Sequence, residues 1–254
     1  MPPLPVVVAL QAIVLGAFVA EAAIGFGATV IAVTLAVLLV PLTTILPAFV
    51  PINMVLSAVL VARGRRSLRL ALLGREIAPA VVVGLAVGLW VFRRQRLDAL
   101  ALAFAVFVVA MSVVELRRVH RGGAPSTPLG AGPRRVLLAL GGFVHGLFGT
   151  GGPMIVYVMQ RRGLDKAAFR ASLALVWLVL NAALMINFAQ LRLLDAPSLR
   201  LSAALGLALL PSLWLGERLH HRLSPRRFQL GVFVLLLIAG LALGVRTALK
   251  LLVA

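Results

Sequence analysis

Two glycine-rich breaks inside long apolar runs constrain this chain more than any other feature it carries. The second is His145-Gly146-Leu147-Phe148-Gly149-Thr150-Gly151-Gly152-Pro153, and the first is Glu21-Ala22-Ala23-Ile24-Gly25-Phe26-Gly27-Ala28-Thr29. Gly has no Cβ and Pro no N–H donor, so a continuous helix is disfavoured through either stretch. In lipid the freed N–H and C=O groups have no water to bond. Broken backbone at membrane depth therefore persists only when it is buried in protein or lines a wet cavity. In both stretches an ionisable residue stands four positions before a G-x-G: Glu21 before Gly25, His145 before Gly149. Glycine-interrupted apolar segments at corresponding places in two halves mark a transporter binding site.

That argument requires a membrane, and the composition supplies it. The 254 residues are 62% hydrophobic and 13% charged, where a soluble domain has about a quarter charged; the mean hydropathy is +1.09. A soluble core would need polar faces at helical spacing, which most segments lack. Ten apolar segments are predicted, at 4–25, 27–41, 43–62, 70–92, 97–117, 133–149, 151–161, 167–190, 198–218 and 226–250. The second and seventh are short and follow the breaks, so the first two segments of each half pair as one helix bent at glycine.

The net charge of +18 would point to nucleic acid in a soluble protein. Here the basic residues lie between apolar runs. Loops 63–75, 117–135, 161–170 and 218–227 hold 18 of the 25 Lys and Arg, so the positive-inside rule makes them cytoplasmic and the N-terminus external. The cluster Arg93, Arg94, Arg96 falls on the other side. With no Cys there is no disulfide and no thiolate metal site. Met1-Pro2-Pro3-Leu4-Pro5 lacks a basic n-region and reads as a helix cap rather than a signal peptide.

Gly122-Gly123-Ala124-Pro125-Ser126-Thr127-Pro128 is the long turn-rich stretch. It divides an N-terminal transmembrane repeat, 1–118, from a C-terminal one, 133–254, with 119–132 as linker. The halves echo each other beyond the breaks. Asn53 matches Asn181 as a mid-helix amide, and Pro79-x4-Gly84 matches Pro211-x4-Gly216. Five segments per half, two of them a bent pair that returns to its own side, leave each half an odd net number of crossings, so the second copy is expected to be inverted.

Among the seven acidic residues only Glu21 lies deep in an apolar segment, and among the four His only His145 does. An ionisable group in a span costs a few kcal/mol and is a functional candidate by default, and imidazole titrates nearest neutrality. Glu21 and His145 are therefore candidate proton-coupling groups. The plainer alternative is that Glu21 bonds a backbone N–H exposed by the break, or bonds His145, and only holds the crossing together. A half-helix beginning after Gly27 or Gly152 presents unpaired N–H groups and the positive end of its dipole, which suits an anion. Gly25, Gly27, Gly149, Gly151 and Gly152 shape that site, Thr29 and Thr150 add hydroxyls, and Asn53 and Asn181 add amides. The glycines also suit close helix packing, and the amides suit interhelical hydrogen bonds. Trp90 and Trp214 read as interfacial anchors, and Tyr157 is placed facing the cavity.

At these residues the chain resembles the TauE/SafE sulfite-exporter family of membrane permeases. The resemblance rests on Gly25-Phe26-Gly27, on Gly142-x3-Gly146-x2-Gly149-x-Gly151-Gly152-Pro153, on Gly163-Leu164-Asp165-Lys166-x-Ala168, on the helix with Asn181 and on the Pro-x4-Gly pairs. It covers nearly the whole chain. Ala28 and Thr29 stand where the family usually shows more glycine or proline. It implies secondary export of a small sulfur-containing anion, sulfite or an organosulfonate such as sulfoacetate.

The expectation is thus an all-α polytopic protein of the bacterial inner membrane, built from two inverted repeats and working by alternating access. The rivals are an anion channel of the same fold and a membrane-embedded enzyme. The latter finds no support in the motifs, since neither H-E-x-x-H nor G-x-S-x-G occurs. No catalytic residue, metal or cofactor is expected. The partners are a small anionic substrate and the lipid bilayer, with a homodimer as an allowed assembly and no role for nucleic acid.

Overall fold

The computed structural model describes residues 1–24, 26–94, 97–120, 129–222 and 225–253. Gly25 and linker residues 121–128 lie outside the described residues. Among the described residues the structure is all helices joined by short turns, with no strand. The first half holds α1 (Leu4–Ile24), α2 (Ala28–Ala36), α3 (Leu42–Gly64), α4 (Leu70–Leu72), α5 (Ala78–Phe92) and α6 (Leu97–His120). The second half holds α7 (Ala131–Phe148), α8 (Gly152–Gln160), α9 (Lys166–Gln190), α10 (Ala196–Gly206), α11 (Leu209–Arg222) and α12 (Pro225–Val253). α1 and α7 each end at a glycine break, and the nine-residue helices α2 and α8 follow.

Six helical stretches are long and apolar enough to cross a membrane: Leu4–Ala23, Leu42–Ser67, Leu70–Phe92, Ala99–His120, Lys166–Gln190 and Leu230–Leu249. α10 and α11 together make a seventh candidate, bent by 41°. Val82, Val83, Val87, Val179, Ile186 and Ile238 are exposed, and the apolar sides they mark suit lipid rather than water. Helix starts follow local chemistry. Asp165 and Asp195 each accept a backbone N–H three residues on, from Ala168 and Ser198 at 2.8 Å, capping α9 and α10.

Two departures from the predicted segments share a cause. The segment expected as one run over 198–218 is broken at Leu207–Ala208, and the run over 70–92 contains a π-helical turn at Leu73–Ile77. Both irregularities precede a proline. Pro79 and Pro211 cannot donate to the carbonyls four residues back, Arg75 and Leu207, so the helix loosens there.

α5 packs along α7, α1 along α11, α3 along α9 and α6 along α12. The first contact is backbone against backbone. A Cβ on Gly84 would fall 1.8 Å from the Ala139 carbonyl oxygen, and one on Gly142 would fall 2.1 Å from that of Val81. Here α5 and α7 run parallel, since Gly88 meets Phe143 and Gly146 one turn further along both helices. α1 and α11 are also parallel: Ser212 Oγ donates to the Leu15 carbonyl at 3.1 Å and Gly216 abuts Ala22 further along both, while Gln11 Nε2 donates to the Ala204 carbonyl of α10 at 3.0 Å. α6 and α12 run antiparallel, with Gly244 beside Ala105 and Gly240 beside Val108. These pairings fix where the two breaks sit.

Candidate functional site

The two breaks meet at one small cavity of about 40 Å³, room for more than one water molecule. The predicted site residues that are described all line it: Glu21, Gly27, Thr29, Asn53, His145, Gly149, Thr150, Gly151, Gly152 and Asn181. Their polar side chains are buried. Glu21, Asn53, His145 and Thr150 are each 2% exposed and Asn181 is 1% exposed.

The first half uses its groups on itself. Gly27 takes φ +107°, a left-handed conformation that glycine adopts without strain, and turns the chain into α2. Glu21 folds back so that its Oε2 accepts the Ala28 N–H at 3.2 Å. A carboxylate thus sits on the N-terminal end of α2, where the helix dipole favours negative charge. Asn53 Nδ2 donates to Thr29 Oγ1 at 2.9 Å, and Ser57 Oγ donates to Asn53 Oδ1 at 3.4 Å. Of these groups, Glu21 Oε1 lacks a hydrogen bond.

The second half repeats the geometry and leaves its groups open. Gly149 turns at φ +66° and its N–H donates to the His145 carbonyl at 2.8 Å. His145 then folds back as Glu21 does: its Nδ1 accepts the Gly151 N–H at 3.4 Å. That assignment places the proton of a neutral ring on Nε2, as a donor. Nε2 has no partner; nor have Thr150 Oγ1, Asn181 Nδ2 or Asn181 Oδ1. His145 and the Asn181 amide are close enough to influence each other, but without a hydrogen bond of ordinary geometry. The imidazole lies parallel to the Trp177 ring with centroids 6.2 Å apart. Glu21 and His145 each bond the backbone of their own half, and no hydrogen bond or ion pair joins them among the described residues.

The sequence explains this inequality. Counting from the G-x-G, Thr29 in the first half corresponds to Pro153 in the second. Asn53 finds a hydroxyl, and Asn181 has no equivalent to find. Buried polar atoms left unpaired cost about 1–3 kcal/mol each, and four of them gather on one side of the cavity. The remaining wall is apolar and was not foreseen: Phe26, Val30, Ile31, Met111, Phe233 and Leu236 line it. In sequence these positions look like any other apolar residue of a span.

Three other predicted features separate from the cavity or acquire a second role. Tyr157 is not among the lining residues. It stands over a turn along α8, its hydroxyl on Arg161 and its ring under Arg118 and Arg161 at 5.0 and 4.5 Å. Gly151 packs as well as lining the site, because a Cβ there would fall 1.9 Å from the Gly141 carbonyl oxygen. Trp90 and Trp214 are more than half exposed, with Arg94 and Arg218 stacked on them at 4.4 and 3.8 Å.

A bundle of apolar helices interrupted at two points to enclose a polar cavity defines a polytopic membrane protein, with the irregular backbone shielded from lipid. Residues 10–243 match the family described as Sulfite exporter TauE/SafE, and the chain belongs to that family of membrane transporters. A curated relative, the probable inner membrane transporter protein TsaS of Comamonas testosteroni, is 28% identical over 171 residues, 66% of this chain and 69% of the relative. No solved structure matches. The protein is a multi-pass transporter of the bacterial inner membrane.

Proposed function

We propose that the protein is a secondary-active carrier that exports a small sulfur-containing anion, sulfite or an organosulfonate such as sulfoacetate, by alternating access. One observation carries this reading. Four buried polar atoms without partners, on His145, Thr150 and Asn181, face one cavity beside the start of α8. Among the described residues, no Lys or Arg lines that cavity. An anion there is held by hydrogen bonds and by the helix terminus, which suits release as much as capture.

Pairing between the halves supports the two-repeat arrangement, 1–118 and 133–254. Exchanging the halves maps α1 on α11 onto α7 on α5, and both pairs are parallel. It maps α6 and α12 onto each other, and those two run antiparallel. Antiparallel packing of equivalent helices is what an inverted repeat with its axis in the membrane plane produces.

Glu21 supplies the coupling. Its carboxylate shares the cavity with the anion donors, and two negative charges in so buried a space repel strongly. Glu21 is therefore neutral when the anion is bound, and a proton binds with the substrate. Proteoliposomes loaded with radiolabelled sulfite or sulfoacetate test this. Saturable efflux is expected to rise when the substrate side is made acidic, and Glu21→Gln, neutral at every pH, is expected to transport without responding to the gradient. Saturable flux that ignores both the gradient and the mutation would keep the carrier and remove Glu21 from it. Flux that does not saturate would favour a channel, and no flux of either anion would overturn the substrate assignment.

A further inference from the structure

α2 and α8 begin at the cavity, and a matched pair of arginines holds their far ends. Arg118, in the last turn of α6, donates Nη2 to the side-chain oxygen of Gln160, the final residue of α8, and stacks on Tyr157. Its Nη1 also lies 3.5 Å from Glu115. Arg246, on α12, donates Nη1 at 2.6 Å to the carbonyl of Leu38, just past the end of α2. The last carbonyls of a helix lack partners within it, and its C-terminal end attracts cations. Each arginine therefore sits where helix chemistry rewards it. Each also belongs to one half and grips the short helix of the other.

The two are equivalent by position. They are separated by the same 128 residues as Asn53 and Asn181. Because α6 and α12 run antiparallel, Arg246 lines a surface cavity with Ala101 and Phe104 at the start of α6, whereas Arg118 lies at its end. At 1.5 Å per residue the two grips are about 20 Å or more apart along the helix pair. Met111 of α6 and Phe233 and Leu236 of α12 wall the central cavity between them. With both grips engaged, Glu21, His145, Thr150 and Asn181 are almost wholly buried.

We propose that Arg118 and Arg246 are paired positioning residues, each latching one short helix closed at one face, and that transport alternates by releasing one latch while the other holds. This rests on the alternating-access reading, but its test needs no substrate and so can fail separately. The natural chain has no Cys, so a single Met111→Cys reports on the cavity without background. In oriented membrane vesicles, a membrane-impermeant maleimide is applied from either face. Arg246→Ala is expected to raise labelling about threefold or more from the face carrying residues 37–43 alone, and Arg118→Ala from the face carrying 160–166 alone. Lys at either position, which keeps the charge, is expected to restore most of the protection. An alanine variant that does not stay monodisperse is replaced by Arg→Gln and read by the same criterion. A rise from the wrong face or from both faces in one variant, or no change in folded variants, would overturn the proposal. A residue that merely stabilised the bundle would not produce opposite sidedness.

Discussion

Gly84→Val is expected to leave little or no folded transporter, with a fall in melting temperature of roughly 10 °C or more in whatever fraction survives. The reason is the absence of side chains between α5 and α7. A Cβ on Gly84 would fall 1.8 Å from the Ala139 oxygen, one on Gly88 2.2 Å from the Phe143 oxygen and one on Gly142 2.1 Å from the Val81 oxygen. All three obstacles are backbone, so no rotamer change relieves them, and the helices must part. In lipid no hydrophobic driving force between helices compensates, since association depends on this close packing. The damage also reaches the site, because α7 carries His145 and ends at the second break. Gly152→Ala is the control. Its Cβ would stand 3.9 Å from Trp177, ordinary contact, so its melting temperature is expected to stay within about 2 °C of wild type. Fluorescence-detected size exclusion after heating measures both. Equal behaviour of the two variants would refute the close approach.

Much of this architecture was legible because the signals were local. Apolar runs delimited the helices, and the glycines of 25–27 and 149–152 marked the interruptions. Glu21 and His145 stood out as the deep ionisable residues, and both reach the cavity. What stayed hidden depended on neighbours. Pro79 and Pro211 were visible as a repeated motif, but the π-turn and the bend before them have the same hydropathy as straight helix. Gly84 and Gly142 read as generic small residues, because whether a glycine packs or binds is decided by the opposing backbone. Glu21 makes the structural contact weighed for it, one oxygen on the Ala28 N–H, and leaves its other oxygen without a hydrogen bond. Arg118 counted only as a loop charge, since nothing nearby in sequence announces Gln160 or Tyr157. The inequality of the halves was hidden for the same reason: Asn53 and Asn181 look alike until Thr29 answers one and Pro153 fails the other.

That inequality separates stability from transport in a way that can be measured. Asn181→Leu removes two buried polar atoms that make no hydrogen bond of ordinary geometry, so the unliganded fold loses at most a weak contact with His145 and sheds a desolvation penalty. Its melting temperature is expected to match or exceed wild type. Transport is expected to fall about tenfold or more, because a hydrogen bond to a charged ligand is worth about 1.5–3 kcal/mol. Asn53→Leu is expected to do the reverse. It strands Thr29 Oγ1, which loses its donor at 2.9 Å, and Ser57, which loses its acceptor. The cost is about 1–3 kcal/mol of stability, while the carriers that remain folded keep most of their flux. Thermal melts and proteoliposome efflux per folded molecule, run on both variants, give a two-by-two outcome. If both asparagines affect transport equally and neither affects melting, the two halves hold the anion alike. The crossed result would put the substrate against α8, with the carboxyl group of Glu21 already occupying the corresponding end of α2.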